Sequence, residues 1–345
     1  MKILVIQLRR VGDILLTTPV LSFLKKAIPN ATIDFLSEAG GASVLETNPQ
    51  LDNLLIYKKG KSWSEIKMVR SKQYDVVLDF MNNPRSALLT GLSGARWRVG
   101  FRHSVRSIFY NICLPVPADP EYVPQRKLRL VRYWLEKAQV PIPVGVSGRP
   151  QLYFSRDDED FATSWFEQEK IRKGNFMVIA PVHRHPIRSW RWEGFRDVGL
   201  KLVQDKKLKV YLAWGPGEEE LISQVRKGVE DKLGMLPPTS LRQMGAIFKK
   251  ARLVLTNDSG AMHLAVATGT PTVTIYGPTR PIDWNPSLSQ EGSTQDIVLT
   301  ASGVPCLGCH LLKCPIGHLC MKQLSEEEIF KACSQILKGG FSNVG

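Results

Sequence analysis

Three short stretches hold residues whose types and spacing suit the handling of a charged, hydroxyl-rich substrate. In "LTNDSGAMHLAVATGTPTV" (255–273) an apolar run ends at Thr256, small residues follow, and a helical pattern begins at Ser259. The Ser259 hydroxyl is placed to cap that helix, and Gly260, lacking a Cβ, lets a ligand approach the backbone. The amides of residues 259 to 262 then face outward with the positive helix end behind them, which suits a phosphate or diphosphate. Asp258 repels phosphate but accepts hydrogen bonds from sugar hydroxyls. Ordinary N-capping by Asp258 and Ser259 is the competing account, and His263 is equally explained as a helix histidine packed on a sheet.

The second stretch is "QLRRVGDILLTTP" (7–19), where a buried strand delivers Arg9 and Arg10, Gly12 permits close approach, and Asp13 opens a helix. One carboxylate at such a turn suffices to remove a proton from an acceptor hydroxyl, an effect worth about 10²- to 10⁴-fold in rate. Its rival is an acidic residue that only complements the helix dipole. Pro19 either kinks this helix or marks a fresh first turn with Thr18 as cap. In the third stretch, "APVHRHPIRSWRWEGF" (180–195), Arg184, Arg188 and Arg191 precede a helix and form a candidate phosphate clamp, with Trp190 and Trp192 read as packing residues. In "WGPGEEE" (214–220) Gly215, Pro216 and Gly217 make a tight turn that leaves Glu218 for ribose hydroxyls, or simply for the first turn of a helix.

Four of the six cysteines, Cys306, Cys309, Cys314 and Cys320, fall in "CLGCHLLKCPIGHLC" with the spacing C-x2-C-x4-C-x5-C. They either close a thiolate metal site, with His310 and His318 as substitutes, or are reduced thiols in a loop. Six clustered cysteines do not make a secreted disulfide scaffold.

The elements that must position these residues alternate. "KILVIQL" (2–8), "TIDFLSE" (32–38), "YDVVLDF" (74–80) and "VGF" (99–101) read as strands, with helices at 13–27 and around "PRSALLTGLSG". "VPIPVGVSGRP" (140–150) interrupts, and a helix over 157–170 follows. The rhythm then restarts with strands at 175–181, 209–214, 252–256 and 272–277 and helices at 192–205, 218–228, 240–250 and 261–268, "GMLPPTS" being a loop. A last helix over 325–338 opens with a Ser-x-x-Glu capping box. The pattern predicts an α/β protein of two doubly wound, mostly parallel sheets that face a central cleft, with ligands beyond the carboxyl ends of the strands. The predicted domains are 1–156 and 157–324, with 325–345 as a C-terminal helix and tail packing back toward the first.

A chain of 345 residues with 43% apolar content is long for one core, in keeping with two domains. The formal charge of +14, spread along the chain, predicts a folded basic surface for phosphates, nucleic acid or an anionic membrane face. Neither a targeting segment nor a membrane-spanning apolar run is apparent, so a cytoplasmic protein is expected.

The segments "ILVIQLRRVGDILLTTPVLSFLKKAIPNATIDFL", "WGPGEEE" and "LTNDSGAMHLAVATGTPTVTIYGPT" resemble glycosyltransferase family 9, the ADP-heptose:lipopolysaccharide heptosyltransferases, and the loop ending in "CM" is similar to one found in many members. The resemblance implies a GT-B fold, with the acceptor on the first Rossmann-like domain and the nucleotide sugar on the second. It implies Asp13 as the catalytic base, Asp258 on the donor heptose, and Ser259 and Gly260 on the diphosphate. The family's phosphate-contacting lysine falls on Arg188, a planar fork in place of a compact ammonium. Arg188 therefore joins Asp13 as catalytic, and Glu218, Gly12 and His263 complete the donor set. Arg9, Arg10, Lys58, Lys59 and Lys61 are candidates for the acceptor, an anionic lipid-linked oligosaccharide at the cytosolic face of the inner membrane. The expected reaction is an inverting transfer of heptose from ADP-L-glycero-β-D-manno-heptose with no cofactor and no metal. The only D-x-D, "DED" at 158–160, lies on an exposed-looking helix. The alternatives are a transferase or epimerase using another nucleotide sugar on the same scaffold and, in a different class, a basic nucleic-acid-binding protein with a zinc-type cysteine cluster. The latter has no recognisable nucleic-acid-binding motif, so nucleic acid is not an expected partner.

Overall fold

The computed structural model of the chain describes residues 1–102, 105–172, 174–289 and 295–338. The chain forms two compact units, Met1–Tyr153 and Phe154–Gly345. In the first unit, β1 (Lys2–Ile6), β2 (Thr32–Ser37), β3 (Asn53–Ile56), β4 (Val76–Asp79), β5 (Trp97–Phe101) and β6 (Ile112–Leu114) form one sheet in the order β3-β2-β1-β4-β5-β6. In the second, β7 (Phe176–Ala180), β8 (Lys209–Leu212), β9 (Leu233–Met235), β10 (Val254–Asn257), β11 (Thr272–Tyr276) and β12 (Asp296–Thr300) run in the order β12-β11-β10-β7-β8-β9. All pairings are parallel; Ile3, for example, faces Ile33 on one side and Val76 on the other. Strands covered on both faces must be apolar throughout, which is why "KILVI" and "FMVIA" are unbroken apolar runs after their first residues.

Both sheets have the doubly wound order in which the first strand lies beside the fourth. The chain leaves these neighbours in opposite directions, opening a crevice at their carboxyl ends. In the first unit the neighbours are β1 and β4, and in the second β7 and β10.

The helix expected over 13–27 is two helices, Val11–Leu15 and Thr18–Ala27. Pro19 cannot donate to a preceding turn, so a fresh helix starts there with Thr17, and not Thr18, at the cap position. The edge strands β3, β6, β9 and β12 are additions to the expected set, and β9 begins the stretch read as a loop.

The final helix, Glu326–Lys338, carries the expected capping box, Ser325 Oγ and Glu328 exchanging bonds of 2.6 and 3.3 Å. Ile329, Phe330 and Cys333 join the core of the second unit with Met177, Ile179, Phe195 and Leu255, so this helix is part of that unit. The tail 339–345 lies outside the described residues. The "DED" helix has an exposed face carrying Glu159 and Asp160, but Asp158 is buried, completes the capping box with Ser155 and pairs with Arg242 at 2.8 Å.

Candidate functional site

The second unit places polar groups at its switch point. Asp258 directly follows β10 and is buried, and Thr279 Oγ1 donates to its Oδ2 at 2.6 Å. Burial pushes this carboxyl above its ordinary range, while the Thr279 bond and the charges of Arg188 and His310 hold it back. Arg188 is therefore an electrostatic neighbour of Asp258, and its Nε is shut off from solvent with no acceptor among the described residues. A stranded guanidinium N–H is costly, and an anionic oxygen satisfies it.

The turn that carries Arg188 is pinned on several sides. Trp190 N donates to Asn257 Oδ1 at 2.9 Å, and Asn257 Nδ2 donates to Pro181 O at 2.7 Å. His185 N donates to His183 Nδ1 at 2.8 Å, and the His183 ring also bonds the main chain of Asp258. With Nδ1 accepting, the ring proton sits on Nε2. Burial lowers His183 to about 4, so the ring is neutral. The His318 ring bonds Ile187 O. Of the three arginines proposed as a clamp, Arg184 is exposed, Arg191 pairs with Glu326 and lies over the Trp190 ring, and Arg188 is the one whose charge reaches Asp258.

Ser259 occupies the cap position of the helix Gly260–Ala267, but its hydroxyl does not cap it. The hydroxyl instead meets Thr256 Oγ1 at 3.1 Å, correcting the expected capping and leaving the first helix amides available to a ligand. A Cβ on Gly260 would meet no atom within 4 Å, so the glycine fronts open space. His263 is buried with its ring edge-on to Trp284, centroids 6.1 Å apart, a packing contact. Glu218 is half-buried, and its Oε2 accepts from Gly215 N at 2.8 Å, closing a turn in which Gly217 has a φ of +85°.

The first unit carries a different chemistry. Arg10 has φ 66° and ψ 121°, a conformation that non-glycine residues seldom adopt, immediately before the helix Val11–Leu15. Gly12 is buried in that helix and Asp13 half-buried. Burial raises the Asp13 carboxyl, and the cations Lys127 and Arg10 hold it back. Lys127 was hidden in the sequence, inside "QRKLRLVR" on the helix Val123–Lys137. It is buried, and its Nζ donates to Thr17 Oγ1 at 2.6 Å, Asp13 O at 3.0 Å and Gln7 Oε1 at 3.2 Å. Burial brings its ammonium down to about 7. Its spacing with Val123, Val131 and Trp134 on the buried face of the helix is the signal that would have found it.

Asp79, fully buried at the end of β4, is occupied by the amides of Met81 and Asn82 and by the Tyr110 hydroxyl, and it shapes that turn. Arg9 lies 3.8 Å from Glu38, and Lys58, Lys59 and Lys61 are exposed after β3. Both segments leave the sheet at its carboxyl edge.

The cysteine loop seats on the segment after β11. A Cβ on Gly277 would fall 2.5 Å from Met321 Sδ and 3.0 Å from Cys320 Sγ, so only glycine admits that packing. Cys320 is a core residue, Cys309 is exposed, and Cys306 and Cys314 are intermediate. Among the described residues no group of three or more His, Cys, Asp or Glu side chains is placed to hold a metal ion.

Two doubly wound parallel units, with a phosphate- and sugar-suited crevice on the second, are the fold class and site type of a GT-B glycosyltransferase. The solved structures bear out the fold. A glycosyltransferase family 9 protein from Veillonella parvula superposes with a TM-score of 0.83 at 22% identity, covering 98% of this chain and 97% of that one. The Escherichia coli heptosyltransferase WaaC with ADP-2-deoxy-2-fluoro heptose gives 0.70 at 21% identity, with coverage of 98% and 99%. Lipopolysaccharide heptosyltransferase 3 of Escherichia coli K12 is 26% identical over 297 residues, 80% of this chain and 82% of the relative. Residues 62–306 match the family model "Glycosyltransferase family 9 (heptosyltransferase)", and the chain belongs to that family. It is a glycosyltransferase.

Proposed function

We propose that this protein transfers heptose from ADP-L-glycero-β-D-manno-heptose to the inner core of lipopolysaccharide, with inversion at the anomeric carbon. The observation that carries the reading is the second unit's crevice, where the stranded Arg188 Nε and the free amides of a helix N-terminus adjoin the Asp258 carboxyl. That combination suits one ligand class, a sugar joined to a diphosphate. The lipopolysaccharide heptosyltransferase relatives and the WaaC structure with a fluorinated ADP-heptose support this donor.

In this mechanism Asp13 takes the proton from an acceptor hydroxyl, and the freed oxygen attacks the anomeric carbon from the side opposite the diphosphate. The carbon–oxygen bond to ADP breaks, and the negative charge that grows on the leaving phosphate is met by Arg188 and the amides of residues 259–262. The scheme assigns no metal and no cofactor. Asp258, oriented by Thr279, holds sugar hydroxyls, and Glu218 serves the ribose from its closed turn. A carboxyl raised by burial suits a base, since proton abstraction improves as its pKa approaches the working pH.

The acceptor is an anionic, lipid-linked oligosaccharide, met by Arg9, Arg10, Lys58, Lys59 and Lys61. No helix of the described residues is long and apolar enough to cross a membrane. Trp63 is 73% exposed just after those lysines, a combination suited to peripheral binding at the cytosolic face of the inner membrane. The deciding experiment incubates the protein with ADP-heptose and truncated lipopolysaccharide cores and weighs the products. A core heavier by one heptose supports the proposal, whereas an unmodified core with an altered nucleotide sugar supports an epimerase.

A further inference from the structure

A lysine ammonium is an expensive group to bury, and Lys127 is buried among uncharged hydrogen-bond acceptors with one carboxyl, that of Asp13, acting on it. Lys127 is 4% exposed, its Nζ bonded to Gln7 at the end of β1, to the Asp13 carbonyl and to Thr17, which itself donates to the same carbonyl at 2.7 Å. The Phe80 ring, just past β4, faces it at 5.6 Å. With the helix of Lys127 itself, these partners bring four separate pieces of chain together at the switch point of the first sheet. The three acceptors match the three N–H donors of an ammonium, one more than a glutamine or a water supplies. The charged groups that act on Lys127 are Asp13, which favours its ammonium form, and Arg126 on the same helix, which opposes it; Arg10 acts on Asp13 from the other side.

We propose that Lys127 is a positioning residue for the transfer reaction: its ammonium clamps the main chain of the turn that bears Asp13 and serves as the buried counter-charge of that carboxylate. This rests on the reading of Asp13 as the base. The clamp fixes the carbonyl of Asp13 itself, so the side chain projects from an immobilised residue. The charge keeps a buried carboxyl ionised, and thus able to accept a proton, at a pH where burial alone would leave it protonated. Lys127 touches no substrate in this scheme, and its removal acts through Asp13.

The test is the pH profile of transfer for Lys127→Met, Lys127→Gln and Lys127→Arg, with ADP affinity and thermal melting measured on each. Loss of the cation lets burial dominate Asp13, so in Met and Gln variants the acid limb of kcat/KM moves up by about one pH unit or more, a tenfold loss below the limb. ADP affinity stays at the wild-type value, because the nucleotide residues belong to the other unit. Arginine keeps a charge, and its acid limb returns to or below that of wild type. Should the Met variant fail to melt cooperatively, Lys127→Gln, which retains donors for Asp13 O and Thr17 Oγ1, is read in its place. A folded, neutral variant whose acid limb coincides with wild type overturns the inference. Asp13→Asn separates the two layers. If it turns over normally, the base assignment falls and this inference with it; if it is inactive while the Lys127 limb is unmoved, only the role of Lys127 falls.

Discussion

The two units have the same strand order and opposite chemistry at the switch point. The first presents one carboxyl on a short helix, entered through a strained Arg10 and backed by a buried ammonium. The second presents an arginine with an unsatisfied N–H, a helix N-terminus and a buried aspartate oriented by a threonine, all stapled through Asn257 and His183. Topology thus supplies a crevice twice, and the proposed function gives the two rims different work, proton removal at the first and anion binding at the second.

Four substitutions probe this division, from the largest expected effect to the smallest. Asp13→Asn removes the base without altering shape, and kcat is expected to drop by about 10²- to 10⁴-fold in a product assay. Arg188→Ala removes a charged donor worth about 1.5–3 kcal/mol, so donor affinity measured by calorimetry falls by roughly 10- to 100-fold. An unchanged affinity would dissociate Arg188 from the diphosphate. Gly260→Ala places a methyl in the space before the helix; since nothing in the protein obstructs it, the melting temperature is maintained. Donor KM nonetheless rises roughly fivefold for about 1 kcal/mol of crowding. Tight donor binding in that variant would show that the diphosphate stands elsewhere.

The fourth concerns His183, whose neutral ring is the folded form. Its folded value of about 4 lies below the ordinary 6.5, so the unfolded chain binds the proton more readily. The stability it lends is complete above pH 6.5 and is lost as pH falls toward 4. Melting temperatures of wild type should therefore fall more steeply across that window than those of His183→Gln. Parallel curves would mean that burial does not hold the ring neutral in the folded protein.

The segments that ended in turns of small residues after buried strands were legible, because burial on both faces forces apolar runs and a ligand-ready turn forces Gly, Ser or Asp. The turns that carry Asp13, Asp258, Ser259 and Gly260 stood out in this way, each lying just past the carboxyl end of a buried strand. What escaped depended on tertiary packing. Lys127 is one charge among several in a basic stretch, and only the face shared with Val123, Val131 and Trp134 on the observed helix marks it as inward. The Ser259 hydroxyl was claimed by Thr256, a partner three residues back that local capping rules do not weigh. Edge strands such as β6 and β9, three residues each and partly exposed, lack the apolar run that identifies a central strand. The final helix showed its capping box plainly, yet which core it joins was a matter of three-dimensional contact with Phe195 and Met177.

The claim that proton removal and nucleotide binding reside in different units is tested most directly by titrating ADP into Asp13→Asn by calorimetry. The account predicts wild-type affinity in a protein that no longer transfers sugar. A loss of affinity of tenfold or more would place Asp13 in the nucleotide site and contradict the division.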